Sequence, residues 1–73
     1  MTKLPSVSGK KIIKAFKKDG YLVVRKRGSH FRLHHKNKEP LTVPDHKNIG
    51  KGLLRKLLRD SDISIKEFID LLR

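Results

Sequence analysis

The first regular hydrophobic pattern lies in a basic segment near the start of the chain. Ile12, Ile13 and Phe16 are spaced so that they fall on one face of an α-helix. Ser8 is a favourable N-cap, and Gly20 is a favourable residue just beyond a helix C-terminus. The pattern therefore predicts a helix between these two residues. Its polar side carries a row of lysines: Lys10, Lys11, Lys14, Lys17 and Lys18.

The middle of the chain shows the short, β-branched and alternating segments that are typical of strands. Residues 21–27 and 30–35 are predicted to form two strands. Gly28-Ser29 joins them as a two-residue hairpin loop in which glycine supplies a positive φ. Residues 40–44 are predicted to form a third strand, and the proline at each of its ends suits the edge of a sheet.

Two segments in the last third of the chain have helical spacing. Leucines recur on one side of the first segment, and its predicted buried face holds Leu53, Leu54, Leu57 and Leu58. Ser64 and Glu67 have the spacing of a capping box, which predicts the start of a final helix. The apolar face of that helix holds Ile65, Phe68, Ile69 and Leu72.

The order of these elements, α-β-β-β-α(-α), predicts one α+β domain over residues 1–73. We expect the helices to pack on one face of a three-stranded antiparallel sheet and to leave the other face uncovered. A two-residue loop fixes the register of the strands that it joins. The expected cross-strand pairs are Arg27 with His30, Lys26 with Phe31, Arg25 with Arg32, Val24 with Leu33 and Val23 with His34. If Phe31 and Leu33 are buried, the uncovered face carries Arg25, Arg27, His30, Arg32 and His34.

Positive charge is concentrated in the first half of the chain. The 73 residues carry 19 Lys and Arg against 7 Asp and Glu, a net charge of +12, and residues 1–38 account for +11 of it. Such a surplus is typical of proteins that bind polyanions, because cations that neutralise phosphates release counterions. The charge therefore favours a nucleic acid as the partner.

Composition excludes several other classes of protein. The chain has no cysteine, so disulfides and thiolate metal sites are absent. No apolar stretch is long enough for a membrane span or a signal peptide, so a cytoplasmic protein without a membrane partner is expected. A chain of this length has little room for an enclosed pocket, and we expect neither a cofactor nor a small-molecule substrate.

A histidine among arginines on an uncovered face has two chemical uses. A neutral imidazole can take the proton of an RNA 2′-hydroxyl, which then attacks its own phosphodiester while arginines stabilise the developing charge. The other interpretation is a simple contact with phosphate or base.

The acids are scattered and His34 and His35 point to opposite faces of a strand, so no metal site is expected. His46 is expected to cap or brace the start of the second helix.

Seven short segments, spread along nearly the whole chain, carry a family resemblance: Leu4-Pro5, Ser8-Gly9-Lys10, Gly20-Tyr21, Gly28-Ser29-His30, Val43-Pro44-Asp45-His46, Gly52 to Leu58 and Ser64 to Phe68. In order and spacing they resemble the motifs of the HicA toxins, small ribonucleases of HicA–HicB toxin–antitoxin systems. The chain departs from the family pattern at Phe31, where many members have a second histidine. It departs again at Leu53, where threonine is common.

The resemblance implies a double-stranded-RNA-binding-domain-like fold and cleavage of mRNA, and the absence of a carboxylate cluster favours a reaction without a metal ion. It implies that His30 is the catalytic residue, acting as general acid and base, and that a HicB-like antitoxin protein covers this face. We expect the arginines to hold phosphate and the lysines of the first helix to steer the strand. The residues assigned to RNA are Lys10, Lys14, Lys17, Arg25, Arg27, Ser29 and Arg32.

Two other functions fit parts of the sequence. A non-catalytic double-stranded-RNA-binding module of the same fold would place the lysine row and the hairpin on a duplex. A helix-turn-helix DNA-binding protein built on the last two helices fits less well, because the connection between them contains Asp60 and Asp62.

Overall fold

The computed structural model describes residues 4–73, and the predicted order of elements is confirmed. The elements are α1 (Gly9–Asp19), β1 (Leu22–Arg27), β2 (His30–His34), β3 (Leu41–Pro44), α2 (Lys51–Asp60) and α3 (Ile65–Leu71). The strands form an antiparallel sheet of order β1-β2-β3. Residues 1–3 of the predicted domain lie outside the described residues. Within residues 4–73, no helix has both the length and the apolar character needed to cross a membrane.

Local capping contacts set the ends of α1 and the start of α3. The Ser8 hydroxyl accepts a hydrogen bond from the Lys11 N–H, and Gly20 ends α1 in the left-handed conformation. Ser64 and Glu67 form the predicted capping box, since each side chain accepts a hydrogen bond from the other residue's backbone N–H. These contacts satisfy N–H groups that a helix cannot satisfy internally.

The start of α1 packs tightly against the loop that follows β3. The Gly9 N–H donates to the His46 carbonyl (2.9 Å), and the Ile49 N–H donates to the Val7 carbonyl (2.8 Å). A Cβ atom on Gly9 would lie 2.0 Å from the Pro44 carbonyl oxygen, so a side chain does not fit there. His46 was expected to cap or brace the start of the second helix; the prediction of a cap was wrong, because the N-cap of α2 makes no side-chain hydrogen bond and the His46 carbonyl accepts from the Gly9 N–H of α1.

The hydrophobic core lies between the helices and one face of the sheet. The ring of Phe16 contacts those of Tyr21 and Phe68, with centroids 5.6 and 6.0 Å apart. The Tyr21 hydroxyl donates to the Glu39 carbonyl (3.0 Å). Burial raises the pKa of the Tyr21 phenol above its usual value of 10.0, and the negative charge of Asp19 adds to the effect. Other fully buried side chains in this core are Ile12, Leu33, Val43 and Leu54.

A β-bulge changes the register that the hairpin loop predicts. Pairing follows the prediction from the turn as far as Arg25, but Val23 then lies opposite Leu33, and Leu22 lies opposite His34. The bulge inserts Val24 as an extra residue, so this side chain is 50 % exposed instead of facing the core. The predicted pairs of Val23 with His34 and of Val24 with Leu33 were therefore wrong.

Several smaller predictions also need correction. Each predicted strand was longer than the observed one, since Tyr21, His35 and Pro40 lie just outside the strands. Phe31 is half-buried against the core rather than within it. Leu53, placed on the buried face of α2, is 37 % exposed.

Candidate nucleic-acid interface

The uncovered face of the sheet carries its polar side chains in two rows across the strands. In one row Arg27 lies opposite His30, whose partner on β3 is the buried Pro44, and the next row is Arg25, Arg32 and Thr42. A shallow depression of about 280 Å³ lies on this face and is lined by Arg25, Arg27, His30, Arg32 and Thr42. The structure thus brings the histidine of the hairpin together with all three arginines that the register placed beside it.

Contacts on both sides of the hairpin turn hold the backbone at His30. Gly28 has a φ of 59°, which glycine adopts without steric cost, and it forms the turn with Ser29. The Ser29 carbonyl accepts a hydrogen bond from the Asp45 N–H (2.6 Å). The Asp45 carboxylate forms an ion pair with Lys26 of β1 (3.1 Å). The imidazole therefore projects from a constrained turn onto the open face.

The arginines of this face are not neutralised by acids. Within residues 4–73, the ion pairs are formed by lysines, and none involves Arg25, Arg27 or Arg32. Arg25 and Arg32 lie directly opposite each other in the ladder, where like charges destabilise a sheet. The cluster thus carries a cost in folding free energy and presents its N–H donors to any bound anion.

One contact within the depression was not predicted from the sequence. The Arg32 Nη1 donates a hydrogen bond to the Thr42 Oγ1 (2.9 Å), which links β2 to β3 on the open face. The sequence does hold a signal for this contact. Leu41 and Val43 are apolar and flank Thr42, so the alternation of a strand places Thr42 on the face opposite the core.

The lysines predicted to contact RNA lie in the helix layer, on the other side of the sheet from His30. Lys10, Lys14 and Lys17 are all exposed along α1. The first turn of α1 packs against Pro44, the cross-strand partner of His30, so Lys10 lies at the His30 end of the sheet. Lys17 lies about 10 Å further along the helix axis. The structure does not gather the three lysines around the depression.

The other histidines differ from His30 in their surroundings. His34 shares its face but lies four residues away along β2, about 13 Å. His46 is exposed in the loop after β3.

His35 has a structural role that the sequence did not indicate. Its Nδ1 accepts a hydrogen bond from the Asn37 N–H (2.9 Å), so the ring proton lies on Nε2. That nitrogen donates to the Asp19 carbonyl (2.9 Å) and ties the end of α1 to the chain after β2. No group of three or more His, Asp and Glu side chains among residues 4–73 could hold a metal ion.

The fold and this face together define a class: small α+β proteins with helices on one side of a sheet and an exposed histidine–arginine cluster on the other. A family model, described as the HicA toxin of bacterial toxin–antitoxin systems, matches residues 9–63, which is more than half of the chain. The chain therefore belongs to the HicA toxin family, and an antitoxin is its partner in such a system. No curated protein matches the chain significantly.

Proposed function

We propose that this toxin is an endoribonuclease that cleaves mRNA, with His30 as the general acid and base. The observation that carries the proposal is the placement of His30 in a depression with three arginines that form no ion pair within residues 4–73. Phosphodiester cleavage needs a group that moves a proton and fixed donors for the charge that develops on phosphate. The depression offers both, because His30 and Arg27 lie in one cross-strand row and Arg25 and Arg32 lie in the adjacent row.

In the proposed reaction, His30 accepts the proton of an RNA 2′-hydroxyl. The 2′-oxygen attacks the adjacent phosphorus, and the bond from phosphorus to the 5′-oxygen breaks. The imidazolium, or water, returns a proton to the leaving oxygen. The products are a 2′,3′-cyclic phosphate and a 5′-hydroxyl. Arg25, Arg27 and Arg32 donate N–H bonds to the phosphate oxygens as negative charge develops there.

The remaining basic residues support binding of the strand. Lys10 extends the positive surface at the His30 end, and the exposed Ser29 hydroxyl offers a donor beside the imidazole. Lys14 and Lys17 act at longer range by raising the local concentration of RNA, an effect that salt screens. The HicB-like antitoxin presents acidic groups to the histidine–arginine face, and both proteins act in the cytoplasm, where mRNA is present.

A second function has some support from the position of the lysines. The lysine row of α1 lies in a different layer from His30, as expected for a module that binds duplex RNA without cutting it. The two functions differ in what they do to RNA, so incubating the purified protein with RNA distinguishes them.

The experiment uses a 5′-labelled RNA of mixed sequence and its all-deoxy counterpart, both in EDTA. The proposed function predicts cleavage of the RNA, 2′,3′-cyclic phosphate ends and no cleavage of the deoxy strand. Binding of RNA without cleavage would overturn the ribonuclease and favour the binding module. Products with 5′-phosphate ends would overturn the 2′-hydroxyl mechanism.

A further inference from the structure

We infer that Thr42 is a positioning residue for RNA cleavage, because its hydroxyl holds the Arg32 guanidinium beside His30. The inference rests on the proposed ribonuclease function and adds a residue of β3 to the site. Thr42 need not touch the reacting atoms; its effect passes through Arg32.

Arg32 differs from the other two arginines in how it is held. It lies on the central strand, is half-buried and donates from Nη1 to the Thr42 Oγ1 (2.9 Å). Among the residues that the structure describes, no side-chain hydrogen bond fixes Arg25 or Arg27. Arg32 is thus the guanidinium whose direction is set before RNA arrives.

The held guanidinium is well placed to act with His30. The two residues are separated by one position on β2, so their side chains leave the same face about 7 Å apart. A guanidinium has five N–H donors, and the bond to Thr42 uses one of them. The others remain free to bind a phosphate next to the imidazole.

A neutral hydroxyl suits position 42 because the Arg32 guanidinium that it holds must also bind phosphate. Arg32 has a like charge, Arg25, as its partner on β1 and a neutral acceptor, Thr42, as its partner on β3. A carboxylate at position 42 would hold Arg32 more strongly, but it would cancel the charge that binds phosphate. A neutral acceptor orients the arginine and leaves its full positive charge available to RNA.

The test is a double-mutant cycle of Thr42→Val and Arg32→Gln, measured as the single-turnover rate of RNA cleavage at saturating protein. Thr42→Val keeps the β-branched shape and removes the hydroxyl. It should lower the rate roughly threefold to tenfold, the cost of ordering one free arginine side chain. Thr42→Ser should restore the rate. In the Arg32→Gln background, Thr42→Val should have no further effect, because the residue that it positions is gone.

Three results would overturn the inference: a wild-type rate in Thr42→Val, no rescue by Thr42→Ser, or additive losses in the cycle. Additive losses would show that Thr42 acts on RNA or on the fold directly. A separate arm records the NMR order parameter of the Arg32 Nε–H without RNA, which should fall in Thr42→Val. If wild-type protein does not cleave RNA, the proposed function fails. The order parameter then still decides whether Thr42 holds Arg32.

Discussion

Replacing Arg25 by glutamine should stabilise the fold and weaken binding to RNA. Arg25 lies opposite Arg32 in the ladder, and neither has an acidic partner within residues 4–73. Arg32 is tied to Thr42 and cannot move freely away from the repulsion. Like charges in directly opposite positions destabilise a sheet by about 0.2–1 kcal/mol. In a chain of this size, 1 kcal/mol corresponds to a Tm shift of about 4–8 °C, so Arg25→Gln should raise Tm by ~1–8 °C at low salt.

Salt separates this repulsion from other effects of the substitution. The Debye length falls to about 3 Å at 1 M salt, so most of the gain in Tm should disappear there. Lys47→Gln is the matched control, because it removes the same charge from an exposed loop outside the ladder. Its effect on the free energy of unfolding should stay within about 0.5 kcal/mol. The assay is thermal unfolding of wild type and both variants at low and high salt.

RNA affinity gives the second half of the prediction. If Arg25 contacts a phosphate, Arg25→Gln should weaken binding to single-stranded RNA and reduce the slope of log K against log salt by about 0.7. A variant that is less stable than wild type at low salt would refute the repulsion. A rise in Tm at 1 M salt as large as that at low salt would also refute the repulsion.

Three further changes test the fold. Gly9→Ala should cost about 2 kcal/mol or more in urea unfolding, because its Cβ would meet the Pro44 carbonyl oxygen at 2.0 Å. Gly52→Ala should raise the free energy of unfolding by about 0.5–1 kcal/mol, because a Cβ atom there would have no neighbouring atom within 4 Å. Equal effects of the two substitutions would contradict the tight contact at Gly9. Tyr21→Phe should cost about 1 kcal/mol near neutral pH by removing the bond to the Glu39 carbonyl. Because burial raises the Tyr21 pKa, the unfolded phenol ionises first and stability should fall as pH rises above 10.0. This fall should be smaller in Tyr21→Phe, and identical alkaline profiles would contradict the shift.

Features that depend on neighbouring residues could be predicted from the sequence. The caps at Ser8, Gly20 and Ser64 form because a side chain or a left-handed glycine satisfies backbone groups a few residues away. The hairpin at Gly28 is equally local. It fixed the pairing of the arginines with His30 and Arg32, and therefore most of the candidate site.

Features that depend on packing between distant parts of the chain could not be predicted from the sequence. Val23 and Val24 are both apolar, so the alternation fits either residue as the buried one, and only packing against the core selects Val23. His46 contacts α1 through its carbonyl, which every residue possesses, so its side chain carried no signal. The bond from Arg32 to Thr42 depends on the register of β3, which the longer connection after β2 leaves open.

The rate of RNA cleavage by His30→Ala tests the proposed chemistry most directly. A general acid–base group contributes about 10²–10⁴-fold to a rate, so the single-turnover rate in EDTA should fall at least about 100-fold. Because His30 is exposed, Tm should stay close to wild type, and RNA affinity should change little because the arginines that bind phosphate remain. His34→Ala, at the far end of the same strand face, is the matched control and should keep most of the activity. Cleavage by folded His30→Ala at the wild-type rate would contradict the assignment of His30 as the catalytic residue.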